Sequence, residues 1–178
     1  MTDIAELVLR NNDFAAGEFV DGARLTIKAT GDMMVIGCVD PRVDPAHVLR
    51  LGHGEAVVIR NPGGRITPAT LRAMTTLNKV TAAHPESRPG GTWNLVILHH
   101  TSCGLADLAS DDDVLAEYFE TPASELAAKS VGDPRGSVRA DVDLIHRLIH
   151  RPNFLVSGLV YDVRTGRVEV VVPPTQVG

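Results

Sequence analysis

Two cysteines are all that 178 residues contain. A disulfide-held secreted scaffold needs more, so that class is set aside, and under reducing conditions both thiols stay available as thiolates. No apolar run approaches the ~20 residues that cross a bilayer, and the opening MTDIAELVLR puts acids where a signal peptide carries bases. The expectation is a cytoplasmic protein with no membrane partner. Excess positive charge is missing as well. The formal net charge is -5, which argues against a nucleic-acid binder that must neutralise phosphates. Nor is there an internal repeat, a low-complexity tract or a coiled coil. With 44% apolar residues and no break in composition, the chain reads as one domain over 1–178 with one sizeable core.

What is there alternates between two periods. Ile4 to Arg10 is amphipathic, Asn11 and Asn12 are expected to interrupt it, and residues 13–20 suggest another short helical turn. MMVIGCV (33–39) and AVVIRN (56–61) are brief β-branched runs that stop at polar or Gly/Pro residues, as strands buried in a parallel sheet do. PAHVLRLGHG between them is long enough for a short helical crossover. Thr67 followed by Pro68 starts a helix, because threonine caps a free amide and proline at the first turn loses no needed donor. That helix should reach about Ala83, before the loop PESRPGG.

WNLVILH (93–99) is the clearest strand, and DDDVLAEYF places three acids at the positive end of a helix dipole. PASELAAKS suggests a further helix. GSVRADVDLIHRLIHR suggests another, with Val138, Val142, Ile145 and Ile149 on one apolar face. FLVSGLVYDVRTGRVEVVV reads as a hairpin turning near Thr165 and Gly166, its last strand antiparallel at a sheet edge. The fold class is therefore α/β: an open, mostly parallel sheet with an antiparallel edge strand and helices on both faces.

Functional groups in such sheets gather beyond the carboxyl ends of the strands. Cys38 falls there, and so do His99 and His100, the latter three residues ahead of Cys103. Taken alone, each cysteine is an inert core side chain more often than anything else. Together with one of the two histidines they form a set of two sulfurs and one nitrogen suited to zinc. No CxxC pair closes a structural finger. The fourth position stays open, with Asp40 as a candidate ligand and Arg42 near enough in sequence to hold or release it; an ordinary ion pair at a strand end is the plain alternative. A phosphatase-like loop fails, because Asp44 and Ala109 stand where its arginine belongs after Cys38 and Cys103. A Cys/His nucleophile would leave CVDPR unexplained, and a disulfide would bring a compact cytoplasmic enzyme little. IRNPGG and GHGEAV match neither a phosphate-binding nor a dinucleotide-binding fingerprint. Gly63 and Gly64 permit a close backbone approach, so they form either a simple turn or a cleft wall that presents an amide to a small substrate.

CVDPR (38–42) resembles the CxDxR signature of the β-class carbonic anhydrases, and HTSCG (100–104) resembles their HxxC signature. IRNPGG (59–64) is similar to their RNAGG-like segment, with Pro62 a departure from alanine, and GLVYDVRTGRV (158–168) is similar to their terminal strand and turn. The similarity spans most of 33–172 in the right order. It implies one zinc per chain bound by Cys38, His100 and Cys103, which resolves the choice between His99 and His100, and it implies a dyad of Asp40 and Arg42 beside the metal. The implied activity is reversible hydration of carbon dioxide to bicarbonate and a proton by zinc-bound hydroxide, with Asp40 orienting the nucleophile and competing, when ionised, for the fourth zinc position. Hydrolysis of carbonyl sulfide or carbon disulfide at the same site is the enzymatic alternative, and a zinc-stabilised interaction protein the non-enzymatic one. His53 is a candidate proton shuttle, although an ordinary surface role fits it better. The resemblance further implies a homodimer or tetramer, with residues 1–20 as a helical arm at the dimer interface.

Overall fold

The computed structural model describes residues 3–19, 27–84 and 91–178. Among the described residues five strands form one sheet in the order β2-β1-β3-β4-β5. They are β1 (Met33–Cys38), β2 (Ala56–Asn61), β3 (Trp93–His100), β4 (Phe154–Asp162) and β5 (Arg167–Gln176). The first four run parallel, and β5 returns antiparallel to β4 at the edge, as its hairpin turn requires. Helix α1 (Ile4–Gly17) precedes the sheet; α2 (Pro45–Val48) and α3 (Pro68–Ala83) flank β2; α4 (Asp112–Phe119) and α5 (Pro134–Leu148) lie between β3 and β4.

Alternation along the central strands divides the core between two faces. Met34, Ile36, Leu95 and Ile97 meet the apolar stripe of α5, Val138, Val142 and Ile145, together with Met74 of α3. Val35, Val96 and Leu98 point the other way, where Val48, Leu49 and Leu51 of α2 and its turn cover them. The second face thus has a much smaller helical cover than the first. A satellite cluster of Leu115, Phe119 and Leu126 joins α4 to the segment that follows it.

Most expected elements are present, and two differ. Asn11 and Asn12 do not interrupt the first helix, which runs unbroken from Ile4 to Gly17; asparagine inside a helix costs only a fraction of a kcal/mol, roughly 0.7 or less relative to alanine. PASELAAKS forms a 3-10 segment, Ala123–Lys129, closed by Ser130 at φ 52°, so its short run tightens instead of opening into an α-helix. The PESRPGG loop lies almost wholly outside the described residues, as do residues 1, 2 and 20 of the expected arm. Thr67 caps α3 as expected, its hydroxyl accepting from the Thr70 amide at 3.2 Å.

Register places the site. Cys38 pairs with Asn61 and Gly37 with Leu98, so β1, β2 and β3 all end at the same rim of the sheet. The ends of those three strands and the turns leaving them carry every candidate residue named above except His53.

Candidate metal centre

Cys38 ends β1 and His100 ends β3, each fixed by a parallel ladder and buried at 4% and 1% exposure. Cys103 follows after a tight turn in which Ser102 adopts φ 54°, and this left-handed residue swings the third donor back toward the strand end. One donor atom from each of the three lies within 4.8 Å of the other two. The sulfurs are 3.9 Å apart, against about 3.8 Å for two thiolates on one tetrahedral zinc. His100 Nδ1 donates to the Thr101 carbonyl at 2.9 Å, which leaves Nε2 with a lone pair and no hydrogen-bond partner although it is buried. An orphaned nitrogen beside two sulfurs is a donor set that fits zinc in charge, softness and geometry.

Around the sulfurs the chain supplies donors. Cys38 Sγ accepts from the Gly63 amide at 3.2 Å and the Asp40 amide at 3.4 Å. The hydrogen bond from Cys103 is the main influence holding the Cys38 thiol at about 4, helped by these two amides against desolvation. Its neighbour moves the opposite way: Cys103, hydrogen-bonded to that sulfur and half-buried, is pushed far above the ordinary thiol range.

Asp40 and Arg42 form the rim. Arg42 Nη2 reaches Asp40 Oδ2 at 2.6 Å, its Nε reaches Oδ1 at 3.0 Å, and its own amide donates to Oδ1 at 2.9 Å. The same Nη2 donates to the Ser102 carbonyl at 2.9 Å, tying the rim to the turn that carries Cys103. Hydrogen bonding to Arg42 holds the Asp40 carboxyl at about 2. Asp40 Oδ2 stands 4.0 Å from His100 Nε2, so the carboxylate faces the donor set while committed to Arg42.

Other expected site residues lie elsewhere. His99 points away from the donor set: its Nε2 sits 3.2 Å from the Gly64 carbonyl and 3.3 Å from Asp141 Oδ2. His53 is exposed and meets the ring of Phe14 in α1 at 6.2 Å. The Gly63 amide donates to the Cys38 sulfur, and with His100, Cys103 and Leu105 this glycine lines a cavity of about 170 Å³. Gly64 does not reach that cavity. It sits at φ 68° with a hypothetical Cβ 2.9 Å from Gly37 C and 3.0 Å from Leu98 O, so it is the glycine that lets this loop press against the backbone of β1 and β3.

Sequence reasoning missed the residues that brace these groups. Arg60 grips the Cys38 turn through the carbonyls of Cys38 (2.9 Å) and Asp40 (2.8 Å) and the Asp44 carboxylate (2.7 Å). Asn61 folds the 61–65 loop on itself, accepting from the Arg65 amide at 2.7 Å and donating to the Arg65 carbonyl at 2.8 Å. Tyr118 donates to the Pro62 carbonyl at 2.5 Å. Arg60 and Asn61 belong to the IRNPGG segment already noticed for its glycines. Asp141 had a signal of its own, as an acid lying on the apolar face that Val138, Val142 and Ile145 define.

The chain resembles known proteins in the same terms. Residues 33–128 match the family model described as carbonic anhydrase. Beta-carbonic anhydrase 1 of Mycobacterium tuberculosis is 28% identical over 178 residues, covering 97% of this chain and 100% of that protein. The crystal structure of carbonic anhydrase from Streptococcus mutans superposes with a TM-score of 0.67 at 26% identity, covering 96% of this chain and 98% of that one. A carbon disulfide hydrolase of Acidithiobacillus thiooxidans is 38% identical over 87 residues, which is 47% of this chain and 39% of that protein. A family match over more than half the chain and a shared fold along nearly all of it place this protein in the β-class carbonic anhydrase family.

Proposed function

We propose that this chain hydrates carbon dioxide reversibly, CO2 + H2O ⇌ HCO3⁻ + H⁺, with one zinc per chain held by Cys38, His100 and Cys103. The observation that carries the reading is the convergence of two sulfurs and an orphaned imidazole nitrogen within 4.8 Å, beside a carboxylate that is already paired. When bound, zinc supplies the Lewis acidity that makes water nucleophilic near neutral pH. Asp40, ionised at any working pH and fixed by Arg42, accepts a hydrogen bond from the attacking water and aims its lone pair at carbon. Arg42 has a second task. By keeping Asp40 on itself it would leave a bound zinc accessible to water, and by bonding Ser102 it couples that restraint to the Cys103 turn. The Gly63 and Asp40 amides draw charge from the Cys38 sulfur, offsetting part of the electron donation that two thiolates bring.

The half-match to a carbon disulfide hydrolase makes carbonyl sulfide and carbon disulfide the alternative substrates, because they are linear electrophiles that the same arrangement can attack. Stopped-flow hydration of carbon dioxide, with carbonyl sulfide hydrolysis run on the same preparation, decides between them. Faster turnover of the sulfur substrate would reverse the assignment, and absence of both activities in zinc-loaded protein would leave a structural zinc site.

A cytoplasmic homodimer or tetramer completes the reading. Its support is α1, in which no residue is buried and Ile4, Leu7, Val8 and Leu9 are 75%, 49%, 53% and 62% exposed. An arm of that kind gains stability by packing on a second copy. Among the described residues no helix is long and apolar enough to cross a membrane. Sedimentation showing monomer alone at active concentrations would reject the arm.

A further inference from the structure

Behind the donor set lies a charged cluster that the reaction above does not use. Asp141 sits in the middle of α5 at 1% exposure, Arg65 is equally buried, and His99 is 3% exposed. Asp141 Oδ2 accepts from Arg65 Nε at 2.8 Å and from the Ile66 amide at 3.1 Å, while Oδ1 accepts from Arg65 Nη2 at 3.2 Å. His99 Nε2 lies between that carboxylate and the Gly64 carbonyl, two acceptors, so Nε2 carries the proton. Arg65 spends its remaining donors on the Lys129 carbonyl at 2.8 Å and Ser137 Oγ at 3.3 Å, and its guanidinium lies 4.9 Å from the centre of the Phe119 ring. Every tie converges on one stretch of backbone, residues 64–66. One residue earlier is the Gly63 amide that donates to Cys38 Sγ.

A buried ion pair is an expensive way to hold a helix to a loop, because apolar residues of similar volume often serve stability as well or better. What an apolar contact cannot do is fix an amide in direction. Asp141 bonds the loop at both a side chain and a backbone N–H, with His99 adding a third tie through Gly64. We propose that Asp141 is a positioning residue for the metal centre: through Arg65, Ile66 and His99 it sets the 63–66 loop so that the Gly63 amide points at the Cys38 sulfur and tunes its strength as a metal donor. The inference rests on the zinc reading above for its consequence, and on the hydrogen-bond geometry alone for its cause.

Asp141→Asn and the double replacement Arg65→Met with Asp141→Leu test it, the second because it removes the charges together and leaves none buried alone. Two readings are taken: hydrogen exchange of the Gly63 amide in metal-free protein, and the zinc dissociation constant together with the thiolate-to-metal charge-transfer band of the cobalt(II)-substituted protein. Gly63 exchange should speed at least ~10-fold once the loop opens locally. Zinc affinity should fall by about 10-fold with a shifted cobalt band, the low end for a residue acting behind a ligand. Arg72→Ala, which breaks an exposed ion pair with Glu120, should change none of these. Folded variants with exchange and affinity within twofold of wild type would overturn the proposal. Failure of the double variant to fold would assign the pair to the scaffold and overturn it equally. Wild-type protein that binds neither zinc nor cobalt would sink the proposed function instead, leaving the exchange result to decide this one.

Discussion

Two arginine–aspartate pairs flank the Cys38–His100–Cys103 group, chemically alike and physically opposite. Arg42 and Asp40 stand at the rim, their side chains 52% and 14% exposed, whereas Arg65 and Asp141 are each 2% exposed. Water can replace either partner of the rim pair, so its geometry is adjustable and its contribution to stability small. Behind the site nothing can replace a lost partner. Burial alone would raise the Asp141 carboxyl, yet the hydrogen bond from His99 and the Arg65 guanidinium hold it below the ordinary value, and it stays charged. The same ion pair is thus a movable part at the mouth and a fixed one at the back.

Breaking one partner of each pair should separate the two roles. Asp141→Ala strands a buried guanidinium, and we expect a loss of about 3–5 kcal/mol in urea unfolding. A loss below about 1 kcal/mol would mean that water reaches the pair and the contrast is false. Asp40→Asn and Arg42→Ala should leave the unfolding midpoint and bound zinc nearly unchanged, but each should lower carbon dioxide hydration by about 100-fold, the upper range for residues that orient a metal site. In Asp40→Asn the orienting acceptor is lost. In Arg42→Ala the freed carboxylate competes for the metal. Wild-type turnover with an unchanged pH profile in Arg42→Ala would remove the gatekeeping role.

A smaller effect concerns pH. Asp40 has its folded pKa at about 2, below the ordinary 3.8. A carboxyl depressed in this way contributes stability that is complete above about pH 4 and is lost as pH falls toward 2. The rim pair is therefore charged throughout the neutral range, and the rise in rate expected from about pH 7 to about pH 8.5 belongs to the attacking water, not to Asp40. A carbon-13 titration of the Asp40 carboxyl showing an inflection above pH 4 would contradict this. The smallest effect is at the surface. Arg135→Ala breaks a half-exposed surface pair with Glu169 and should leave zinc content, rate and unfolding midpoint where they were.

The difference between the two pairs also marks how far the sequence could be read. The rim was legible because Cys38, Asp40 and Arg42 are close together in the chain and Cys103 follows His100 by three residues, so short motifs carry the chemistry. The parallel sheet was legible because β-branched runs ended in polar turns, and the hairpin because Thr165 and Gly166 separate two such runs. The back of the site is assembled from β3, the 61–66 loop and α5, with 76 residues separating Arg65 from Asp141. No local pattern spans that distance. Asp141 did leave a trace as an acid within an apolar stripe, yet a helical wheel says only that such a residue is buried, not what it holds. The two glycines show the same limit: their motif was visible, but only the closeness of β1 and β3 decides that Gly63 serves a sulfur and Gly64 a close backbone approach.

The central claim is that Cys38, His100 and Cys103 hold one zinc on which activity depends. Metal-free protein titrated with zinc, with the initial rate of carbon dioxide hydration followed at each addition, tests it most directly. The rate should climb linearly and break at one equivalent per chain, and Cys38→Ser under the same additions should stay near the uncatalysed rate. A rate independent of added zinc, or a Cys38→Ser protein that follows the wild-type line, would contradict the account.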